Sequence, residues 1–445
     1  MSNHDPAQAM TDDDAVAVFR AALRHPTVAG SAYDAAVFSA FHETLRSSFP
    51  LLFAAAESVE VPGDALLLRV GGTTDADPLV LMAHQDVVPI EPSDTWTHPP
   101  FDAHDDGEFL WGRGTLDDKG SLVAICVAIE RLLARGVTPR RDVWLSFGAD
   151  EEVMGHHAAA AVEALRARGV TPFVVLDEGG AVASEVFPGV TKPVAMIGVA
   201  EKGTADLRLV AHGDGGHAST PKRGGATAKL ARAISALDAN PAPARLTPTA
   251  VAMFEAVAEV AARPLSLVLG RIGSASGLFA RVLTRLGPET AAIVRTTRAV
   301  TMLEGSKAQN IIATTATAGV NMRISVGESL DEAVRAVERA VAPHAQVELI
   351  GGSGPTQVAP VDHPAFETLR RVTREVLADA HVAPYVMNQA TDARHFHAMW
   401  PHVYRFTPFH MSKAQRESLH NVDERITRAS WLEGVRWYER LVEEA

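Results

Sequence analysis

The sequence predicts an α/β fold, a mixed sheet with helices on both faces, into which a smaller α+β unit is inserted. Three observations carry this. The short, largely apolar runs Pro78–Ala83, Asp142–Phe147 and Thr171–Leu176 alternate with helical stripes, as strands covered on both faces do. Each run leads into a polar end: His84-Gln85-Asp86, Asp150-Glu151-Glu152 and Asp177-Glu178. From about residue 200 the pattern changes, and Thr204–His212 alternates apolar with polar residues as an antiparallel strand with one wet face does. The expected division is therefore 1–199 and 351–445 as two parts of one domain, with 200–350 inserted between them.

In order, residues 15–23 and 33–48 read as amphipathic helices, and Ala65–Val70 as a strand before the turn-rich Gly71-Gly72-Thr73-Thr74-Asp75. After Gly120, Leu122, Ile125, Ile129, Leu132 and Leu133 form a helical stripe that ends near Gly136. A further helix is expected from about Gly155 to Arg168. In the insert, helix Ala226–Leu237 precedes a Pro-rich linker at Pro241–Pro248, and 251–286 reads as helices rich in Ala, Val and Leu. Strand patterns return at Ile311–Ile324, followed by helix Leu330–Val341. The α/β pattern then resumes with helix Ala365–Leu377, strand Val403–Phe406 and helix Ala429–Val442.

Composition narrows the function classes. The chain has 445 residues, 47% of them hydrophobic, enough for a sizeable core. A net charge of −13 argues against sequence-independent nucleic-acid binding, which needs a basic surface. A single cysteine, Cys126, excludes an intrachain disulfide and suits a reducing compartment. Met1–Asp14 is polar and acidic, without the pattern of a secretory signal, and no apolar run reaches membrane-spanning length. The expectation is a cytoplasmic protein acting on a small molecule, with neither nucleic acid nor membrane as partner.

The chemistry gathers at the strand ends and at Trp111–Gly120, where Asp117-Asp118-Lys119 stands between glycines. His84, Asp117, Glu152, one of Asp177 and Glu178, and His420 are candidate metal ligands. Two histidines with several carboxylates suit Zn²⁺, and Co²⁺ or Mn²⁺ less specifically. A carboxylate such as Asp117 can bridge two ions. Asp86 can accept the ring N–H of His84 and fix its tautomer. Glu151, beside a ligand but free of that duty, is the expected general base. Singly, each motif has a plainer reading: His-x-Asp as a structural pair, Asp-Glu-Glu as a solvated helix start. Their recurrence at successive strand ends favours the metal site.

Together, Ala83–Pro89, Gly112–Gly120, Asp150-Glu151-Glu152, Asp177-Glu178-Gly179 and Leu419–Asp423 resemble the dizinc metallopeptidase family of aminoacylase, carboxypeptidase S, acetylornithine deacetylase and succinyl-diaminopimelate desuccinylase. Thr391–Phe396 with Tyr404-Arg405-Phe406 looks closest to the carboxypeptidase S-like branch, which includes N-acyl-amino-acid hydrolases. The resemblance implies a zinc-exopeptidase-like sheet, a lid and dimerisation domain at 200–350, and two zinc ions. It also implies a frequently cis Asp117–Asp118 bond, and favours Glu178 over Asp177 as ligand. His217 would steady the oxyanion, often in a partner subunit's site and so through a homodimer. Asn310 fits the same side, and Arg323 and Arg394 could grip a substrate carboxylate bidentately. The implied activity is cleavage of the amide of an N-acyl amino acid or short peptide. Its rivals are a deacylase or desuccinylase of one biosynthetic intermediate, and a non-catalytic binding protein on the same fold. A metal-dependent phosphoesterase is disfavoured, because no Gly-rich phosphate cradle accompanies the acids. The segment 240–305 is longer than a compact lid needs; it reads as core or dimer surface, or less simply as a wall for an acyl chain.

Overall fold

The computed structural model describes residues 10–186 and 189–445; the first nine residues of the polar N-terminal stretch lie outside it. A ten-stranded mixed sheet organises the molecule. At its centre Leu79–His84 runs parallel to Val143–Gly148 on one side and to Val174–Asp177 on the other, with Val403–Arg405 parallel to Val174–Asp177 beyond. Every residue of these four strands is buried, which is why they are apolar without alternation. Register sets His84 opposite Gly148, so the strands deliver their polar ends to one edge. That edge, the carboxyl end of parallel strands, is where open α/β sheets place their sites.

Helices cover both faces. On one face Lys119–Ala134 is flanked by Asp12–Leu23 and Arg428–Glu444 in the largest apolar cluster, where Trp431 stacks on Phe19 at 4.5 Å. The Trp431 indole N–H donates to the Gly120 carbonyl at 3.0 Å and so ties the C-terminal helix to the start of Lys119–Ala134. On the other face His157–Ala167 and Ala393–His397 cover Val80, Met82, Trp144 and Val175.

A separate antiparallel sheet has the order Thr297–Glu304, Thr315–Ile324, Gly203–His212, Gln346–Ser353. Helices Ala226–Ala239 and Leu330–Val341 cover one face of it in a core of their own. Helix Leu330–Val341 begins as the sequence predicts because Ser329 and Glu332 form a capping box. The expected run Ile311–Ile324 divides into Ile311–Ile312, paired with Gly216–His217, and Thr315–Ile324.

The long segment 240–305 contributes core, as one of its readings expects, but to the large sheet. The helices between residues 248 and 294 do not join the core of the small sheet. Met253, Phe254, Val257, Leu269, Ile272, Leu283 and Val294 pack against Ala183, Val194, Met196 and Ala383 of the large sheet. The reason is apolar side chains on one face of the large sheet. His381–Met387 and Val194–Glu201 pair in parallel and present apolar residues there that need covering. Among the described residues, no helix is long and apolar enough to cross a membrane.

Candidate metal centre

The loop 112–118 is built around one buried carboxylate. Glu424, fully buried, accepts from Gly114 N at 3.0 Å, Leu116 N at 2.7 Å and Asp117 N at 3.2 Å, and pairs with Arg113 Nη1 at 2.7 Å. This holds Asp117 at the sheet edge, and the Asp117–Asp118 peptide is cis. The Asp117 carboxylate is shared between two histidines. His84 Nε2 lies 2.8 Å from Oδ1, and His420 Nε2 lies 2.9 Å from Oδ2. Glu178 Oε1 stands 3.8 Å from His84 Nε2, and Glu152 Oε2 stands 3.2 Å from His420 Nε2. His420 reaches the cluster from a left-handed backbone position, φ 58°. Two overlapping groups of potential ligands result, His84 with Asp117 and Glu152, and His84 with Asp118 and Glu178.

Electrostatics describes a site short of positive charge. Burial opposes a charged His84, yet bonding to Asp117 and Asp86 outweighs it and raises the imidazole pKa well above its ordinary value. Bonding to Asp117 and Glu152 raises His420 to about 10. Burial raises Glu178 well above the carboxylate range, and the neighbouring Asp117 and Asp118 add to it. Burial likewise lifts Glu151 to about 9, with Asp392, Asp117 and Glu152 adding to it and His84 opposing. Among the described residues, Glu152 Oε1 is buried without a hydrogen-bond partner. Carboxylates crowded this way take up protons when buried alone, and stay ionised when cations pair with them. This set of histidine and carboxylate donors fits divalent metal ions.

The structure refines two expectations. Asp86 serves His84 through its main chain: Nδ1–H donates to the Asp86 carbonyl at 2.9 Å, while the nearer carboxylate oxygen is 3.5 Å away. This leaves Nε2 as the ligand atom. The Asp86 carboxylate instead accepts Glu151 N at 3.2 Å and Glu152 N at 3.0 Å and so fixes the turn that carries both acids. Asp177, the alternative to Glu178, is turned away from the cluster. Its oxygens accept Glu178 N at 2.9 Å and Ala393 N at 2.7 Å. A carboxylate spent on two N–H groups keeps little for a metal.

The remaining candidates lie apart. His217 and Asn310 meet on the exposed ribbon, where Ala218 N donates to the Asn310 carbonyl at 3.0 Å. Among the described residues neither bonds to the metal cluster. Arg323 is half-buried on Thr315–Ile324, opposite Thr204 and Thr297. Arg394 Nη1 donates to the Thr391 carbonyl at 2.8 Å, on the loop that holds Asp177. Sequence reasoning missed Glu424 and a second buried group around Glu201. Glu201 accepts from Thr391 Oγ1 at 2.9 Å and pairs with the fully buried Arg405 at 2.7 Å. No local pattern marks either glutamate, because their partners are hundreds of residues away.

Comparison with known proteins agrees with this geometry. Residues 80–444 match the model of peptidase family M20/M25/M40. The chain is 33% identical over 412 residues to the probable carboxypeptidase S-like 2 of Dictyostelium discoideum, covering 91% of this chain and 79% of that protein. It is also 33% identical over 437 residues to the N-fatty-acyl-amino acid synthase/hydrolase PM20D1 of Xenopus tropicalis, covering 96% and 85%. Among solved structures, the fold is similar to the M20 family metallo-carboxypeptidase Sso-CP2 of Sulfolobus solfataricus, with a TM-score of 0.72, 16% identity, and 97% and 98% of the two chains covered. With two histidines and their carboxylates gathered on Asp117, and the match running through all of them, the chain belongs to peptidase family M20/M25/M40 and is a metal-dependent hydrolase.

Proposed function

We propose that the protein is a dizinc hydrolase that cleaves the amide bond of N-acyl amino acids, or of short peptides with a free C-terminal carboxylate. The observation that carries this reading is the divided Asp117 carboxylate, one oxygen toward His84 and the other toward His420, with the buried Glu151 carboxyl close enough to feel the charges of both Asp117 and His84. Bound zinc, or Co²⁺ or Mn²⁺ in its place, supplies Lewis acidity toward the scissile carbonyl and acidifies the attacking water. His84, Asp117 and Glu178 would hold one ion, and Asp117, Glu152 and His420 the other. Glu151 accepts the proton of the attacking water and passes it to the leaving amine. Asp86 fixes Glu151 and Glu152 through their N–H groups and sets the His84 tautomer through its carbonyl.

The lid in this reading comprises 203–239 and 297–353, hinged near Glu201–Gly203 and Gly354–Thr356. Closure, or a second copy of the chain in a homodimer, brings His217 and Asn310 to the oxyanion. Arg323 and Arg394 are assigned to the substrate carboxylate. Relatives named N-fatty-acyl-amino acid synthase/hydrolase support acyl amino acids as the substrate class.

The test is hydrolysis of a panel of N-acyl amino acids and dipeptides, with acetylated and succinylated biosynthetic intermediates included, by wild type and Glu151→Gln. Metal content is measured on both. The reading expects an N-acyl amino acid or peptide to be cleaved, a loss of at least about a hundredfold in the variant, and two ions retained by each. A protein that binds no metal, or a variant as active as wild type, would overturn it.

A further inference from the structure

The segment 260–288 departs from the rest of the chain. It holds four arginines, Arg263, Arg271, Arg281 and Arg285, and no acidic residue, in a protein of net charge −13. All four are exposed, and among the described residues none lies within ion-pairing distance of a carboxylate. The flanking acids are Glu255, Glu259 and Glu289. Helix Ser276–Leu286 turns Ala280 and Leu283 inward. Its outward face carries Leu278, Val282 and Leu286, exposed by 63%, 41% and 68%. At spacings of four residues these three form one stripe, and Arg281 and Arg285 run beside it. Leu267 and Val268, about half exposed, extend the apolar surface of the segment.

Nothing in the packing asks for this outward face, since the inward residues already cover that part of the large sheet. Leucines flanked by arginines on the outward face of one helix match a flat boundary that is apolar below and anionic at its surface. We propose that this face docks on anionic lipid surfaces. The apolar side chains enter the acyl boundary and the arginines meet lipid phosphates. This departs from the expectation of no membrane partner, which rested on the lack of an apolar run of spanning length, a feature that docking at a surface does not need. The proposal stands independently of the assigned substrate, although an enzyme acting on fatty-acyl amphiphiles would meet them at that boundary. Each arginine near an anionic surface is worth about fivefold in partitioning. Screening over about 10 Å keeps the protein's distant negative charge from cancelling them.

The test is co-sedimentation of the full chain with phosphatidylglycerol/phosphatidylcholine vesicles and with phosphatidylcholine vesicles. Wild type is compared with Arg281→Glu/Arg285→Glu and with Leu278→Ser/Leu286→Ser, after thermal melts show that both variants fold. Expected are binding to the anionic vesicles only, weakening with salt, and a loss of at least tenfold in each variant. Absence of binding by wild type, or variants that bind as it does, would overturn the proposal. So would size-exclusion profiles in which the leucine variant alone loses self-association, which would make the face a protein interface.

Discussion

Replacing Glu424 by glutamine tests whether one buried carboxylate assembles the metal loop. The substitution keeps the shape and removes one charged acceptor. In the wild type, Oε1 takes Leu116 N and Asp117 N, and Oε2 takes Gly114 N and Arg113 Nη1. Whichever oxygen becomes an amide nitrogen, two donors then face a donor, and the buried Arg113 guanidinium loses its counter-charge. Breaking a buried ion pair from one side costs about 3–5 kcal/mol, a large share of the 5–15 kcal/mol typical of a folded domain. The assay is urea unfolding of the metal-free protein, followed by tryptophan fluorescence, with zinc affinity measured separately. Zinc affinity should fall as well, because Asp117 N is one of the freed donors and the loop that aims the shared carboxylate loosens. In Arg113→Gln/Glu424→Gln the cost should be well below the sum of the single costs, since neither partner is left charged alone. A loss under about 1 kcal/mol with unchanged zinc affinity would refute the assignment of loop order to Glu424.

Three further outcomes follow from the packing. Asp177→Asn should lose about 1–3 kcal/mol of stability, because one of the two N–H groups it accepts is left unpaired, yet keep two ions by elemental analysis. Glu178→Gln should show the reverse, with metal lost and the metal-free fold retained. Trp431→Ala should cost about 3–5 kcal/mol in chemical denaturation, through the lost stack on Phe19 and the lost bond to Gly120. Burial pushes the Cys126 thiol well above its ordinary 9; the nucleophilic thiolate is then negligible at pH 8, and a thiol reagent should label the protein only after unfolding.

What could be read from the chain alone was set by local rules. Central strands, buried on both faces, declare themselves by unbroken apolar runs, and Leu79–His84 and Val143–Gly148 fall within a residue of expectation. Helix Leu330–Val341 carries its own cap and matches to the residue. The edge strands did not declare themselves. Thr297–Glu304 and Gln346–Ser353 are largely exposed, so they lack both the apolar run and the clean alternation that mark a strand. The apolar helices between 248 and 294 signalled burial but not their partner, and only the apolar face they cover on the large sheet decided that.

The same division runs through the site. His84, Glu152 and Glu178 could be named as candidate ligands because they are His or acid at or just beyond strand ends, and Asp117 and His420 because of the motifs around them. The choice between Asp177 and Glu178 was open in the sequence, since adjacent residues on a strand point to opposite sides and either could face the cluster. The fold separates the two by giving Asp177 the N–H of Ala393, more than two hundred residues away, and setting Glu178 3.8 Å from His84. Glu424 and Glu201 are of the same kind. A glutamate's role as a buried acceptor is fixed by donors that folding brings to it, and no spacing along the chain records where those donors will be.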